Sequence, residues 1–434
     1  LLEWFMSERL DDLRAFLGEA TSPFHAVAAL SRRLVDAGFK AVKHLDGLTF
    51  EAGQGYFVTA NDSSIIAFRA GAGSCEEGLR MIGAHTDSPN LSVKPNPLKK
   101  RSGTHQLAVD VYGGALLNPW FDRDLSLAGR VSFENSEGEL DSRLIDFRRP
   151  IAIIPSLAIH LDREANKNRS INPQTDILPL IAGLPTADGS SIDWAGLLAN
   201  QVSAQYPALG SVRVLDFELS LYDCQPAGLV GMDEAFLASA RLDNLLSCHA
   251  GLMALLAADP AQWSLLVCND HEEVGSTSAV GAQGPMLADV LNSITGTAAA
   301  SRRLRERSKM LSVDNAHAVH PNFSDRHDEA HGPLLNHGPV VKINRNQRYA
   351  TSGEGSALLR LLAERAQVPL QHFVVRSDMG CGSTIGPITA AETGITTIDL
   401  GVPTLAMHSI RELAGTADVD YLGSLLTAFY NRVA

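Results

Sequence analysis

Four short apolar runs, rich in β-branched residues, each break off into ionisable side chains, and this pattern limits the fold more than any other feature of the chain. Arg80-Met-Ile-Gly-Ala84 runs into His85-Thr-Asp87, and Trp263-Ser-Leu-Leu-Val-Cys268 into Asn-Asp-His-Glu272-Glu273. Met310-Leu-Ser-Val313 runs into Asp314-Asn-Ala-His317, and Ile395-Thr-Thr-Ile398 is followed by Met407-His408. Unbroken apolar runs separated by helical stretches predict strands buried on both faces of a mostly parallel mixed sheet flanked by helices, an α/β fold. Ligands in such sheets gather outside the carboxyl ends of the strands. The four polar clusters are therefore expected to converge.

Helices are expected over Glu8–Leu17, Pro23–Val35, with Thr21-Ser22 before the proline as a start signal, and Asn244–Ala258, apolar around most of its circumference and stopped by Asp259-Pro260. The stretch 97–233 differs: frequent Gly and Pro interrupt alternating runs such as Leu127-Ala-Gly-Arg-Val-Ser-Phe133. It predicts a β-rich domain inserted into an α/β domain formed by 6–96 and 234–434. Residues 1–5 are set aside from this reading, with Met6 as the expected natural start.

A chain of 434 residues can bury a large core without staples, and with 45% hydrophobic and 20% charged residues it is neither disordered nor fibrous. Its formal charge of -13 disfavours nucleic acid or an anionic membrane as a partner. No stretch has the length and apolarity of a membrane span. Five scattered cysteines without a C-x-x-C pair suggest neither a disulfide framework nor a zinc finger, and point to a reducing, cytoplasmic setting.

His85, Asp243, Glu272, Glu273, Asp314 and His408 are imidazoles and carboxylates, donors that suit Zn²⁺, Mn²⁺ or Co²⁺. Two divalent ions need about three ligands each with one shared, so five of the six suffice and one of the adjacent glutamates is left as a base, since neighbours in an extended segment point opposite ways. Each signal has an ordinary alternative: a surface loop for His85-Thr-Asp87, a helix start for Glu272-Glu273, a helix cap for Asp243-Asn244. His271 is followed by Glu-Glu-Val-Gly, so the His-Glu-x-x-His helix is absent, as are the Gly-x-Ser-x-Gly elbow, the Walker loop and the dinucleotide fingerprint. Asp325-Arg-His-Asp-Glu-Ala-His331 with His337 has a metal-like composition without apolar flanks, as in an exposed loop.

Taken together, Gly83-Ala-His85-Thr-Asp87-Ser-Pro89, Arg241-Leu-Asp243-Asn244, Glu272-Glu273-Val-Gly-Ser-Thr, Ser312-Val-Asp314-Asn-Ala-His317, Cys381-Gly-Ser-Thr-Ile-Gly-Pro387 and Met407-His408-Ser-Ile-Arg411-Glu412 resemble the M18 metallopeptidases, the aspartyl aminopeptidases. Leu157-Ala-Ile-His160-Leu and Asn346-Gln-Arg-Tyr349 extend the match, which covers essentially the whole chain. The resemblance implies a zinc aminopeptidase core with an inserted β-rich dimerisation domain. It implies two divalent ions, most simply Zn²⁺, one on His85 and Asp314, the other on Glu273 and His408, bridged by Asp243. Glu272 is then the general base and Asp87 the residue that orients His85. The substrates implied are peptides with an N-terminal Asp or Glu. Lys342, with Arg345 as competitor, would meet the acidic side chain; Gly382, Ser383 and Thr384 form a substrate-binding turn, and His160 reaches a partner subunit's active site. A homo-oligomer, a dodecamer built from dimers, is implied as well. A neutral N-terminal specificity and a non-catalytic assembly or cargo-binding protein on the same scaffold stay open as alternatives.

Overall fold

The computed structural model describes residues 2–43, 45, 47–182 and 192–432. They divide into two compact units, one formed by 1–88, 227–407 and 412–434, the other by 89–226 and 408–411.

The larger unit is built on a nine-stranded mixed sheet. At its centre Ser264–Asn269, Arg80–His85, Lys309–Val313 and Thr396–Gly401 lie side by side, each parallel to the next. These are the four runs that end in ionisable residues, so His85, the Asp270–Glu273 segment and Asp314 leave the sheet at the same edge. The central strands are buried almost throughout. That explains why they read as continuous apolar runs rather than as alternating ones. A smaller five-stranded sheet, which includes Phe236–Ser239 and Glu412–Gly415, completes this unit.

Helix Leu242–Leu256 packs under the sheet with nearly every side chain buried. Each fully buried leucine contributes about 1.5–3 kcal/mol. Helix and sheet approach closely at Gly251, where a Cβ would stand 2.7 Å from Leu266 Cδ1 and 3.2 Å from Ile82 Cγ2. Helix Pro23–Asp36 starts as its sequence predicts: Ser22 is the N-cap, its hydroxyl accepts from the His25 amide, and Pro23 opens the first turn. The N-terminal helix spans Leu2–Glu19, longer than expected and reaching into the residues set aside before Met6; Leu1 lies outside the described residues.

The second unit is a six-stranded antiparallel sheet in the order Leu140–Asp146, Leu125–Glu134, Arg213–Asp223, Asn90–Arg101, Thr104–Tyr112, Leu180–Ala182, with its own core around Leu127, Phe133, Leu219 and Leu221. It begins at 89 rather than 97 and ends at 226 rather than 233. The reason is that Asn90–Arg101 is one long strand whose first residues already pair with Tyr112 and Val111, and the Leu91 side chain is fully buried in this unit's core. Part of the expected stretch, residues 183–191, lies outside the described residues. Helix Trp194–Gln205, capped by Asp193, is an element that the β-rich reading missed.

Candidate metal centre

His85 ends its strand fully enclosed, and its two ring nitrogens face different partners. Nδ1 lies 3.0 Å from the Asp87 carbonyl and 3.3 Å from Asp87 Oδ1. Nε2 lies 3.4 Å from Asp243 Oδ1 and 3.9 Å from both Glu272 Oε2 and Asp314 Oδ1. A proton on Nδ1 bonded to Asp87 leaves Nε2 as the lone-pair nitrogen, aimed at the carboxylates. This is how a metal-binding imidazole is held.

Asp87 has no exposed surface, and its carboxylate receives the amides of Glu272 and Glu273, each at 3.1 Å. It thereby pins the start of the turn Glu272–Val274. This turn corrects one sequence expectation. The two glutamates lie in a 3₁₀ turn, not an extended segment, so their side chains do not point to opposite faces. Glu272 comes within 3.9 Å of His85, and Glu273 offers an oxygen to the cluster below.

Asp243 is not a helix cap either. Arg241, at φ +60°, precedes the helix, and Asp243 has extended rather than helical angles, with φ -83° and ψ 103°. Its amide donates to Glu412 Oε2 at 2.9 Å, and its carbonyl accepts from Ser88 Oγ at 2.6 Å. One donor atom each from His85, Asp243 and Glu273 lies within 4.8 Å of the other two.

The charges explain what such a site needs. Burial pushes the Glu272 carboxyl up to about 8, with Asp314, Asp243 and Asp87 adding to the rise and His85 opposing it. Glu273 is raised well above the usual carboxylate range by burial and then by Asp243. Asp314 goes the other way: burial opposes ionisation, but Lys342 and His85 overcome it. For His85, burial is outweighed by Glu272 and the three aspartates, which raise it well above the ordinary histidine range, so the carboxylates draw positive charge to this point. Enclosed carboxylates that can ionise together only when cations stand among them form a donor set that fits divalent metal.

Lys342 lies in the strand Val340–Lys342, which has a neighbour on each side, so it is not an edge lysine. It is 2% exposed, with Nζ 3.0 Å from the Asn315 carbonyl, 3.5 Å from Asp314 Oδ2 and 5.3 Å from the centre of the Tyr349 ring. Arg345, its competitor, is exposed. In the proposed substrate turn Gly382 and Ser383 are exposed, whereas Thr384 is buried. The Thr384 hydroxyl donates to Asp399 Oδ1 at 2.6 Å and caps helix Ile385–Thr393.

Two residues of the set belong to the second unit. His408 lies in 408–411, and its Nδ1 stands 3.1 Å from the Gly114 carbonyl. A Cβ on Gly114 would press to 3.2 Å from that nitrogen. His160 is exposed in a turn, not a core residue ending a strand, and Leu157, Ile159 and Leu161 around it are exposed too. The histidine-rich segment makes separate local contacts, His331 with Asp328 at 2.6 Å and His327 with the His317 carbonyl at 3.3 Å.

Sequence reasoning assigned no role to Glu412, Asp270 or Asp399. Glu412 and Asp399 are buried carboxylates that hold the Asp243 amide and the Thr384 hydroxyl. Asp270 is buried as well, and burial and then Asp87 push it up to about 6. Asp270 follows an apolar strand end, the signal that marked Asp314, whereas Asp399 lies inside the strand Thr396–Gly401 and Glu412 opens the strand Glu412–Gly415.

The profile of the family described as Aminopeptidase I zinc metalloprotease (M18) matches residues 16–430. A probable M18 family aminopeptidase 2 of Pseudomonas putida (strain F1) is 56% identical over 416 residues, covering 96% of each chain. Among solved structures, a cryo-EM structure of the Ape4 and Nbr1 complex superposes with a TM-score of 0.94 at 38% identity, over 99% of this chain and 86% of that one. The S. cerevisiae mApe1 dodecamer superposes with a TM-score of 0.83 at 27% identity, over 98% and 97%. With a buried histidine and carboxylate cluster at the carboxyl edge of its parallel strands, the chain belongs to the M18 family of zinc metallo-aminopeptidases and is a metal-dependent aminopeptidase.

Proposed function

We propose that the enzyme is a dinuclear aminopeptidase that removes an N-terminal Asp or Glu from peptides. His85 and Asp314 would hold one ion and Glu273 and His408 the other, with Asp243 shared between them, most simply as two Zn²⁺, Mn²⁺ and Co²⁺ being the other ions that suit these donors. The observation that carries this reading is the closeness of one donor atom each from His85, Asp243 and Glu273, with Asp314 3.9 Å from His85 and paired with a buried lysine. When bound, the ions polarise the scissile carbonyl and lower the pKa of water.

The chain's own residues do the rest. Glu272, with an oxygen 3.9 Å from His85 Nε2, takes a proton from the attacking water and gives it to the departing amine. Asp87 keeps His85 oriented and fixes the backbone of both glutamates. Lys342 supplies the positive charge for the substrate's acidic side chain, and the Gly382–Thr384 turn lines the peptide's path. A protein of formal charge -13 needs such a local cation to select an acidic terminus.

His160, exposed among apolar side chains, is read as the residue that a second copy receives, within a dodecamer of dimers like that of the yeast relative. Light scattering tests that assembly; a monomer would remove His160 from the active site. The enzyme is assigned to the cytoplasm, a setting that suits the buried thiols Cys248 and Cys268. The engagement of Lys342 with Asp314 favours a second reading, selection of neutral N-terminal residues. Hydrolysis of Asp-, Glu- and Leu-aminoacyl substrates before and after chelation separates the two. Preference for Leu would sink the acidic reading, and activity surviving chelation would sink the metal mechanism.

A further inference from the structure

Beyond Asp314, the chain encloses a cavity of about 310 Å³ together with the Cys381-Gly382 turn. Its walls include His317, His327, Tyr349 and Phe373, with Arg326 and Arg376, and no described carboxylate lines it. Phe373 meets the rings of His317, His327 and Tyr349 edge-on at 5.7, 6.3 and 6.4 Å, giving an apolar floor. His327 Nε2 is bonded to the His317 carbonyl, while its Nδ1 is buried without a hydrogen-bond partner.

Both arginines can serve an incoming anion. Arg376 is steadied by Asp378, with Nε and Nη2 contacts of 2.9 and 2.6 Å, and by the Asp325 carbonyl. Arg326 lies 3.8 Å from Asp325. Asp378 and Asp325 side chains are 65% and 77% exposed, so these ion pairs are solvated and contribute little. A guanidinium has five donors, and the three contacts of Arg376 leave it two for a carboxylate, while Arg326 keeps more.

Tyr349 separates this cavity from Lys342: its ring lines the cavity and also lies 5.3 Å from Lys342 Nζ. The Lys342 side is closed, whereas the Arg326 side chain is 69% exposed at the cavity's rim. An aminopeptidase encloses the terminal residue and must let the remaining chain out to solvent.

We infer that this cavity receives the side chain of the residue following the scissile bond and selects a carboxylate there, with Arg326 and Arg376 as specificity-determining cations. The inference rests on the terminal residue occupying the Lys342 side. The test uses metal-loaded enzyme and peptides that share one first residue, whichever is cleaved best, and differ in the second as Glu, Gln or Lys. That design reads the second position even if the first proves neutral. Wild type is expected to favour Glu over Gln about threefold to fivefold in kcat/KM, a ratio eroded by salt. Arg326→Glu, a change at an exposed position, should invert the order towards Lys, and Arg376→Gln should bring Glu and Gln to parity. Equal turnover of Glu and Gln peptides by wild type would overturn the inference, as would an unchanged order in Arg326→Glu. A change in first-residue preference alone would also overturn it, because the cavity would then hold the terminal side chain.

Discussion

Lys342 and Asp314 form a buried ion pair, Nζ to Oδ2 3.5 Å, in which the lysine proposed to recognise substrate faces a carboxylate proposed to hold metal. Breaking such a pair leaves an unbalanced charge, at a cost of about 3–5 kcal/mol. Metal on Asp314 would supply the missing positive charge. Lys342→Met should therefore destabilise metal-free enzyme by about 3 kcal/mol and metal-loaded enzyme much less, as read from urea midpoints. It should also bring acidic and neutral N-terminal substrates towards equal kcat/KM. An unchanged preference would move recognition to another cation.

Glu272→Gln keeps the shape of the side chain and removes its ability to take a proton. Because Asp87 holds the backbone amides of residues 272 and 273, not the Glu272 side chain, the metal cluster should stay in place. Turnover should fall about 10²- to 10⁴-fold while metal content by elemental analysis stays at the wild-type level. Lost metal with lost activity would make Glu272 a ligand.

The convergence of the His85, Glu272-Glu273 and Asp314 clusters was legible because their strands are buried on both faces, so each apolar run stands out and ends at the site. The fate of individual side chains was less so. Thr384 looked like a substrate contact, but its hydroxyl is committed to Asp399, fifteen positions away, on a strand that only tertiary structure brings near. Whether Lys342 stands at an edge or inside the sheet was not legible, because sequence does not tell which strands flank it. His160 stood out only through the family motif, because an apolar run looks alike whether it is buried in a sheet or displayed on a turn. The domain boundary was late because the two prolines of Asn90–Arg101 suggested a break within a single long strand.

Asp87 accepts two backbone amides through its carboxylate, and its carbonyl accepts from His85. An asparagine there would offer one acceptor and set its NH₂ against an amide donor. Asp87→Asn should therefore loosen both the 3₁₀ turn and the histidine, and weaken metal binding about 10- to 100-fold in chelator competition, with kcat falling alongside. Unchanged metal affinity would reduce Asp87 to a turn residue.

Asp12 and His249 join the N-terminal helix to the buried helix beneath the sheet, Nε2 to Oδ2 2.7 Å, with Arg33 on the other Asp12 oxygen and the Phe16 ring 5.6 Å from the imidazole. The hydrogen bond from His249, joined by Arg33, lowers the Asp12 carboxyl to about 2, while burial lowers His249 below 6.5 despite its partner. Both shifts act in the same direction. A depressed histidine stabilises the fold above 6.5 and loses that contribution as pH falls through its folded value; Asp12 contributes above 3.8 and loses its share as pH falls through about 2. Acid should therefore weaken this junction in two stages, the first below pH 6.5. His249→Phe, which fills the space beside Phe16 with a ring that cannot be charged, should flatten the first stage relative to wild type. Urea midpoints of both proteins from pH 4 to 8 measure the difference, and parallel curves would show that His249 does not couple helix docking to pH.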